Sequence, residues 1–204
     1  MKIILVGASG TIGQAIEAEL RGRHEVVSVN RTSGDFRVDL SDPASIERLF
    51  SETGPFDALV CATGSVHFGP FEQFSEAQFE IGLRNKLMGQ VNLVMMGLHS
   101  IADGGSFTLT SGLLNEAPIR HGVSAAMVNG GIEGFMRAAA ISLPRGLRIN
   151  VISPTIVEES LSAYGLFFPG IKPVPAREVA LGYVRSIEGA QTGRIYRIGW
   201  SRDG

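Results

Sequence analysis

The chain has 204 residues, a length typical of one domain, and 44% of them are hydrophobic while 19% are charged. This composition is sufficient for a large core and is not typical of disordered proteins. A formal charge of −2 offers no basic surface to nucleic acid or to an anionic membrane. The single cysteine, Cys61, excludes an internal disulfide and suits a reducing compartment. We therefore expect a cytoplasmic protein with no membrane association and no metal site.

Short apolar segments alternate along the chain with segments of helical periodicity. The predicted strands are Ile3–Val6, Val26–Val29, Phe36–Val38, Ala58–Cys61, Ser106–Thr110, Leu147–Ile152 and Arg194–Ile198. The predicted helices are Thr11–Arg21, Pro43–Ser51, Gln78–Ser100, Ser124–Leu143 and Ala176–Ile187. This alternation predicts the α/β class, with a doubly wound parallel sheet of about seven strands and helices on both faces, a three-layer αβα domain.

A glycine-rich turn follows the first predicted strand directly. It reads Gly7-Ala8-Ser9-Gly10-Thr11-Ile12-Gly13 and leads into an amphipathic helix. Glycines allow a tight turn and a close approach of the backbone to a pyrophosphate, which the helix N-terminus then binds. An ordinary strand-to-helix turn is the alternative interpretation, but the βαβ context favours a dinucleotide site. We therefore expect one Rossmann domain over residues 1–204, with cofactor contacts from Gly7, Ser9, Gly10, Thr11, Ile12 and Gly13.

The end of the second predicted strand bears on the choice of cofactor. NAD-selective domains usually have an acidic residue at this point, whereas this chain has Asn30 followed by Arg31, Thr32 and Ser33. A guanidinium can bind a 2′-phosphate through paired, charge-assisted hydrogen bonds. We therefore expect these four residues to favour NADP(H) over NAD(H), although a solvated surface arginine is the simpler alternative. Asp39 and Leu40, after the third strand, are candidate adenine contacts, and a turn-capping role for Asp39 is nearly as plausible.

Five segments in the expected order make the chain resemble the short-chain dehydrogenase/reductase family over nearly its whole length. They are Cys61–Gly64, Leu83–Gly89, Gly105–Gly112, Arg148–Pro154 and Thr192–Tyr196. The resemblance implies that Ser111 is the catalytic serine and that Asn85 is the helix asparagine that holds a proton-relay water. It also implies cofactor contacts from a second group of residues, namely Ala62, Thr63, Gly64, Pro154 and Val157.

The chain departs from the family at the Tyr-x-x-x-Lys pair, which normally exchanges the substrate proton and holds the cofactor ribose. Aligning the segment from Asn129 to Phe135 puts Ala125 at the tyrosine position and Asn129 at the lysine position. The three tyrosines of the chain all follow this helix. We expect Asn129 to hold the ribose as a neutral partner, and the proton donor must be another group.

Three residues are candidate substitutes for the missing tyrosine and candidate substrate contacts. They are His67, His121 and Tyr164, and a histidine suits proton transfer near neutral pH. For each one, a solvated loop residue is the alternative interpretation. Cys61, at a buried strand end, is expected to pack rather than to react.

Three functions remain open on the sequence alone, and one of them is a degenerate family member that binds some other nucleotide. The other two both use NADP(H). The first is an NADP(H)-dependent oxidoreductase that reduces a small carbonyl or enoyl substrate with an atypical proton donor. The second is a non-catalytic NADP(H) sensor or scaffold. The aromatic segment Glu158–Lys172 takes the place of the family's substrate lid and indicates an apolar substrate. The resemblance also implies a homodimer or homotetramer formed through the two long helices.

Overall fold

A computed structural model describes residues 1–201 and contains one seven-stranded parallel sheet. The strands are β1 Lys2–Val6, β2 Glu25–Asn30, β3 Phe36–Arg37, β4 Phe56–Cys61, β5 Ile101–Thr110, β6 Arg148–Pro154 and β7 Ile195–Ile198. Their order across the sheet is β3-β2-β1-β4-β5-β6-β7. The chain therefore reverses its direction of winding between β1 and β4, which is where sheets of this kind bind ligands.

The helices connect these strands in the described part of the chain. They are α1 Thr11–Leu20, α2 Pro43–Thr53, α3 Glu76–Gly82, α4 Gly89–Gly97, α5 Val123–Ser142, α6 Leu161–Tyr164 and α7 Ala176–Glu188. Short 3₁₀ turns lie at 71–73, 113–115, 158–160 and 165–167. The predicted doubly wound α/β architecture is confirmed, and all seven predicted strands overlap the observed ones.

One long predicted helix differs from the structure. The segment predicted as a single helix, Gln78–Ser100, is divided by a π-helical turn at Leu83–Met88, with α3 before it and α4 after it. A π-helical turn contains more residues per turn than an α-helix, so hydrophobic periodicity alone does not detect it. Such turns occur frequently at functional sites.

Two hydrophobic clusters cover the two faces of the sheet. On one face, side chains of α2, α4 and α5, including Ile46, Leu93 and Ile132, pack against the strands. On the other face, α1 and α7 contribute Ile16 and Tyr183, among others. Burial of these side chains provides the main stabilisation of the fold. Within residues 1–201, no helix is both long and apolar enough to span a lipid bilayer.

A buried glutamine connects α4 to the end of β5. Gln90 is fully buried; its amide nitrogen donates to the Thr110 carbonyl at 3.0 Å, and its amide oxygen accepts from the Thr110 N–H at 2.8 Å. Thr110 lies beyond the last residue of β5 that pairs with β4. The side chain of Gln90 therefore replaces a neighbouring strand and fixes the end of β5, where Ser111 follows.

The first prediction concerns this interaction. Gln90→Leu keeps a buried side chain of similar size but leaves two backbone groups without partners, so we expect the free energy of unfolding to fall by about 2–5 kcal/mol. Urea denaturation followed by circular dichroism measures the change. Gln73→Leu, at an exposed position, is the matched control and should change stability little. Equal stability of the two variants would contradict the proposed role of Gln90.

Candidate nucleotide and active site

The glycine turn between β1 and α1 is closely packed. Gly7 has φ = +93°, and a Cβ atom there would lie 2.7 Å from the Cβ of Thr63. A Cβ at Gly13 would lie 2.0 Å from the Gly7 carbonyl oxygen. Side chains at these two positions are therefore excluded, and α1 begins directly against the end of β1. The first hydrogen bond within this helix runs from the Gln14 N–H to the Gly10 carbonyl, so the N–H groups of residues 11–13 have no acceptor within the helix and can bind a pyrophosphate.

The last residue of β2, Asn30, contacts the glycine turn. The Asn30 side chain is buried, and its oxygen accepts a hydrogen bond from the Ser9 N–H at 2.8 Å. Asn30 therefore holds the glycine turn in place. The adjacent Arg31 has a side chain that is 80% exposed and lies 3.6 Å from the Asp39 carboxylate. An exposed ion pair at this distance contributes little to stability, so the guanidinium is available to an anionic ligand.

The loop after β3 forms the next wall. Asp39 accepts a hydrogen bond from the Ser41 N–H at 2.9 Å, so it caps a turn as well as lining the cleft. Leu40 packs against α4 at Gly89, where a Cβ atom would lie only 2.7 Å from the Leu40 Cβ. Glycine at position 89 therefore allows α4 to approach the loop that borders the cleft.

These elements enclose a cleft of about 240 Å³ at the C-terminal ends of β1, β2 and β4. The predicted cofactor residues that line it are Gly7, Ser9, Gly10, Asn30, Arg31, Thr32, Asp39, Leu40, Ala62 and Thr63. Thr11, Gly13 and Ser33 lie in the same turns but do not line this cleft. Its shape, the glycine turn and the exposed guanidinium fit the adenosine and pyrophosphate of a dinucleotide, so the residues present suit this cofactor.

A second cleft, of about 500 Å³, adjoins the first, and Ser65 lines both. Four of the predicted cofactor residues line the second cleft, namely Ile12, Gly64, Pro154 and Val157. It also contains Ser111, Ala125, Asn129 and Tyr164, and apolar side chains complete its walls, among them Val66, Phe68, Leu114, Ile156 and Phe168. The two clefts adjoin at Ser65, so a nucleotide in the first could lie beside a small apolar molecule in the second.

Ser111 lies at the bottom of the second cleft, directly after β5. It is 4% exposed, and its hydroxyl donates to the Glu133 carboxylate of α5 at 3.0 Å. Glu133 is itself buried and lies 3.3 Å from Arg137. This interaction orients the serine towards α5. A hydroxyl group can rotate to donate to another acceptor.

Lys86 is the functional residue that sequence analysis missed. Its side chain extends from the π-helical turn into the second cleft, where the ammonium donates to the Asn129 side-chain oxygen at 2.7 Å and to the Ser111 carbonyl at 3.0 Å. Burial lowers the pKa of Lys86 to about 8. The position where the family has lysine, Asn129, therefore contacts an ammonium group that comes from a different helix.

The neighbouring Asn85 has a different location from the one expected. Its side-chain oxygen accepts from the Ser65 N–H at 2.7 Å, and its nitrogen donates to the Ser41 hydroxyl at 3.0 Å. The structure thus places the Asn85 side chain at the nucleotide cleft rather than beside Ser111. Asn85 and Lys86 are consecutive residues of the π-helical turn, and they line the two neighbouring clefts.

The three candidate proton donors are separated in the structure. The rings of His67 and Phe74 are in edge-to-face contact, with centroids 5.2 Å apart. His121, with φ = +68°, borders a different depression near Leu166. Tyr164, in α6, lines the second cleft. Neither histidine lines that cleft, so Tyr164 is the candidate of the three that the structure brings near Ser111.

Other reactive groups near the site are not available for catalysis. Cys61 is fully buried, and burial raises the pKa of its thiol to about 12, so it is protonated and unreactive near neutral pH. In residues 1–201, no group of three or more His, Cys, Asp or Glu side chains is arranged to hold a metal ion. The Glu159 carboxylate accepts hydrogen bonds from the Ala176 N–H at the start of α7.

The chain is similar to several proteins of known structure. Protein lin1944 from Listeria innocua is 46% identical, with a TM-score of 0.95 over 97% of this chain and 98% of that one. A small-chain dehydrogenase is 26% identical, with a TM-score of 0.86 over 100% of this chain and 99% of that one. A small-chain dehydrogenase in complex with NADPH, 24% identical, shares the fold with a TM-score of 0.86 over 97% and 96% of the two chains. No curated protein matches the chain.

A family model gives the same assignment from sequence. Residues 10–188 match the model described as enoyl-(acyl carrier protein) reductase, which covers most of the chain, from the glycine turn to the end of α7. The match agrees with the order of the strands, with the position of the glycine turn and with the location of Ser111 at the end of β5. The chain therefore belongs to the short-chain dehydrogenase/reductase family of oxidoreductases.

Proposed function

We propose that the protein is an NADP(H)-dependent reductase of a small, apolar carbonyl or enoyl compound and that it uses an atypical proton donor. The observation that carries this proposal is that the candidate nucleotide cleft adjoins a largely apolar cleft lined by Ser111. When bound, NADPH supplies the hydride. The protein orients the two reactants, and orientation alone provides a large part of enzymatic rate enhancement.

Selection of the phosphorylated cofactor rests on Arg31. Its exposed guanidinium borders the cleft at the end of β2, and the residue before it is neutral, which removes the acidic group that would repel a 2′-phosphate. Thr32 lines the cleft as well and adds a hydroxyl donor. The NADPH bound to a protein of the same fold is compatible with this preference.

The second prediction tests this preference. We expect Arg31→Ala to weaken NADPH binding by about 10- to 100-fold, because charge-assisted hydrogen bonds contribute about 1.5–3 kcal/mol. NADH binding should change little, since that cofactor has no 2′-phosphate. Fluorescence titration of both cofactors measures the two affinities, and Arg48→Ala, at an exposed position of α2, is the control. Equal losses for NADPH and NADH would mean that Arg31 does not recognise the phosphate.

Ser111 is proposed to hydrogen-bond the reacting oxygen of the substrate. Its hydroxyl borders the apolar cleft and can turn from Glu133 towards a bound molecule. A hydrogen-bond donor aimed at developing negative charge is among the strongest catalytic contributions. The apolar walls of the cleft favour a substrate whose remaining atoms are hydrocarbon.

The third prediction tests the reaction itself. We expect the protein to oxidise NADPH in the presence of members of a panel of small apolar aldehydes, ketones and enoyl thioesters, measured by absorbance at 340 nm. Ser111→Ala should lower kcat on the order of 10²-fold while NADPH binding persists. If NADPH binds but no panel member is reduced, the protein is instead a non-catalytic NADP(H) sensor or scaffold, the alternative that Ala125 and Asn129 favour.

We further propose that the protein acts in the cytoplasm as a homodimer or homotetramer. Support comes from exposed apolar side chains on the long helices, with Met95 on α4, and Met127 and Ile141 on α5. Exposed apolar side chains become buried when such helices pair in an interface. The one free cysteine is compatible with a reducing compartment.

The fourth prediction concerns this assembly. Met95→Glu puts a charge in the proposed interface and should shift the protein towards the monomer, because burying an unpaired carboxylate is costly. Sedimentation velocity measures the distribution of species. Leu181→Glu, at a half-exposed position of α7 away from these helices, serves as the control. A wild-type monomer, or an unchanged oligomer in Met95→Glu, would reject this interface.

A further inference from the structure

The ammonium group of Lys86 lies between the end of β5 and α5, at the wall of the apolar cleft. Two of its three N–H groups have acceptors among the described residues, the Ser111 carbonyl at 3.0 Å and the Asn129 side-chain oxygen at 2.7 Å. The third N–H is left for a molecule bound in the cleft that Lys86 lines. The two hydrogen bonds hold the nitrogen beside the end of β5, next to the serine proposed to contact the substrate oxygen.

The other polar groups near this point are poorly suited to delivering a proton. A serine hydroxyl does not ionise near neutral pH, so Ser111 can hydrogen-bond an oxygen but is not a practical proton source. Asn129 is neutral and directs its oxygen towards Lys86. His67 and His121 do not line the cleft. Tyr164 lines the cleft from α6, and its ring is 52% exposed.

We propose that Lys86 is the proton donor for carbonyl reduction, so that an amine from the π-helical turn performs the role of the absent tyrosine. This inference rests on the proposed reductase function. In the step, the carbonyl carbon gains the hydride supplied by NADPH and the carbon–oxygen π bond breaks. The oxygen takes a proton from the Lys86 ammonium, the N–H bonding pair stays on nitrogen, and the products are the alcohol, NADP⁺ and a neutral amine. Solvent then reprotonates the amine.

The acidity of Lys86 suits this role. Burial lowers its pKa to about 8, so the group is largely charged at pH 7 yet gives up its proton more readily than an exposed lysine. The neighbouring titratable groups are Cys61 at the end of β4, Glu133 of α5 behind Ser111, and Tyr164 across the cleft. The Cys61 thiol, with its pKa raised to about 12, remains neutral throughout the range in which Lys86 titrates.

The fifth prediction compares Lys86→Met and Lys86→Arg with the wild type. Removing a general acid costs about 10²–10⁴ in rate, so we expect kcat for carbonyl reduction to fall by that factor in Lys86→Met. Lys86→Arg keeps the charge but cannot release a proton near neutral pH, so its kcat should fall as well while NADPH binding persists. Lys2→Met is the control. Lys2 lies at the N-terminal end of β1, at the other end of the strands from the clefts, so this variant should keep wild-type activity.

The pH dependence separates proton donation from a purely structural role. Because reduction needs the charged form of Lys86, wild-type kcat should be constant below about pH 8 and fall about tenfold per pH unit above it. The reverse oxidation needs the neutral amine, so its rate should rise through the same pH. Both dependences should disappear in Lys86→Met. Their persistence in Lys86→Met and disappearance in Tyr164→Phe would identify Tyr164 as the donor and overturn the proposal.

A measurement on the unliganded protein provides an independent readout. The chain has three lysines, Lys2, Lys86 and Lys172, so competitive labelling with acetic anhydride followed by mass spectrometry can report the titration of each amine. We expect a midpoint near pH 8 for Lys86, well below the ordinary lysine value of about 10.4. An ordinary midpoint for Lys86 would overturn the proposal even if Lys86→Met failed to fold.

The remaining outcomes distinguish failure of the proposed role of Lys86 from failure of the proposed reductase function. Wild-type turnover with unchanged kcat in Lys86→Met rejects Lys86 as the donor and leaves the reductase function intact. Weaker NADPH binding with an unchanged kcat and pH profile in Lys86→Met makes Lys86 a cofactor anchor only, which also rejects the proposal. Absence of wild-type turnover with every carbonyl compound rejects the reductase function, and the catalytic role of Lys86 with it.

Discussion

All seven strands run in the same direction, so their carboxyl ends lie at the same end of the sheet. Backbone groups beyond the last paired residues there have no partner in a neighbouring strand. Side chains from the helices supply those partners. Gln90 bonds both backbone groups of Thr110, and Lys86 donates to the carbonyl of Ser111, the next residue. The helix that contains the π-helical turn therefore completes the end of β5. The same contacts that satisfy the sheet edge also position the groups that border the apolar cleft.

The location of the lysine changes the chemistry of the site without removing its positive charge. Family members have lysine at the position of Asn129, on the same helix as the catalytic tyrosine. Here the neutral Asn129 side chain accepts a hydrogen bond from Lys86 and donates another to the Gly112 carbonyl at 3.2 Å. A second lysine at position 129 would repel the first in a poorly solvated cleft. The pairing of an ammonium with an amide is therefore the stable arrangement at this point.

The sequence was sufficient to predict the sheet, its order of elements and most of the nucleotide cleft, because those features depend on local patterns. A glycine turn must follow a strand and begin a helix, and Arg31 follows the end of β2 wherever that strand lies. Lys86 could not be predicted in this way. A lysine in a helix is normally exposed, and only the π-helical turn and the packing of Gly64 against its side chain bring it into the cleft. Asn85, in the same turn, lies at the nucleotide cleft rather than beside Ser111.

Binding of the dinucleotide and use of it for chemistry thus depend on different kinds of contact. The nucleotide cleft is formed largely by backbone geometry, since Gly7 and Gly13 exclude side chains and leave N–H groups at the start of α1. The apolar cleft depends on side chains from several elements, and Lys86 donates hydrogen bonds both to the Ser111 carbonyl and to the Asn129 side chain. Substitutions can alter the second set while the first remains intact. Alanine at position 125 is therefore compatible with an intact nucleotide cleft, and the amine that we propose as the proton donor comes from a different helical segment from Asn129.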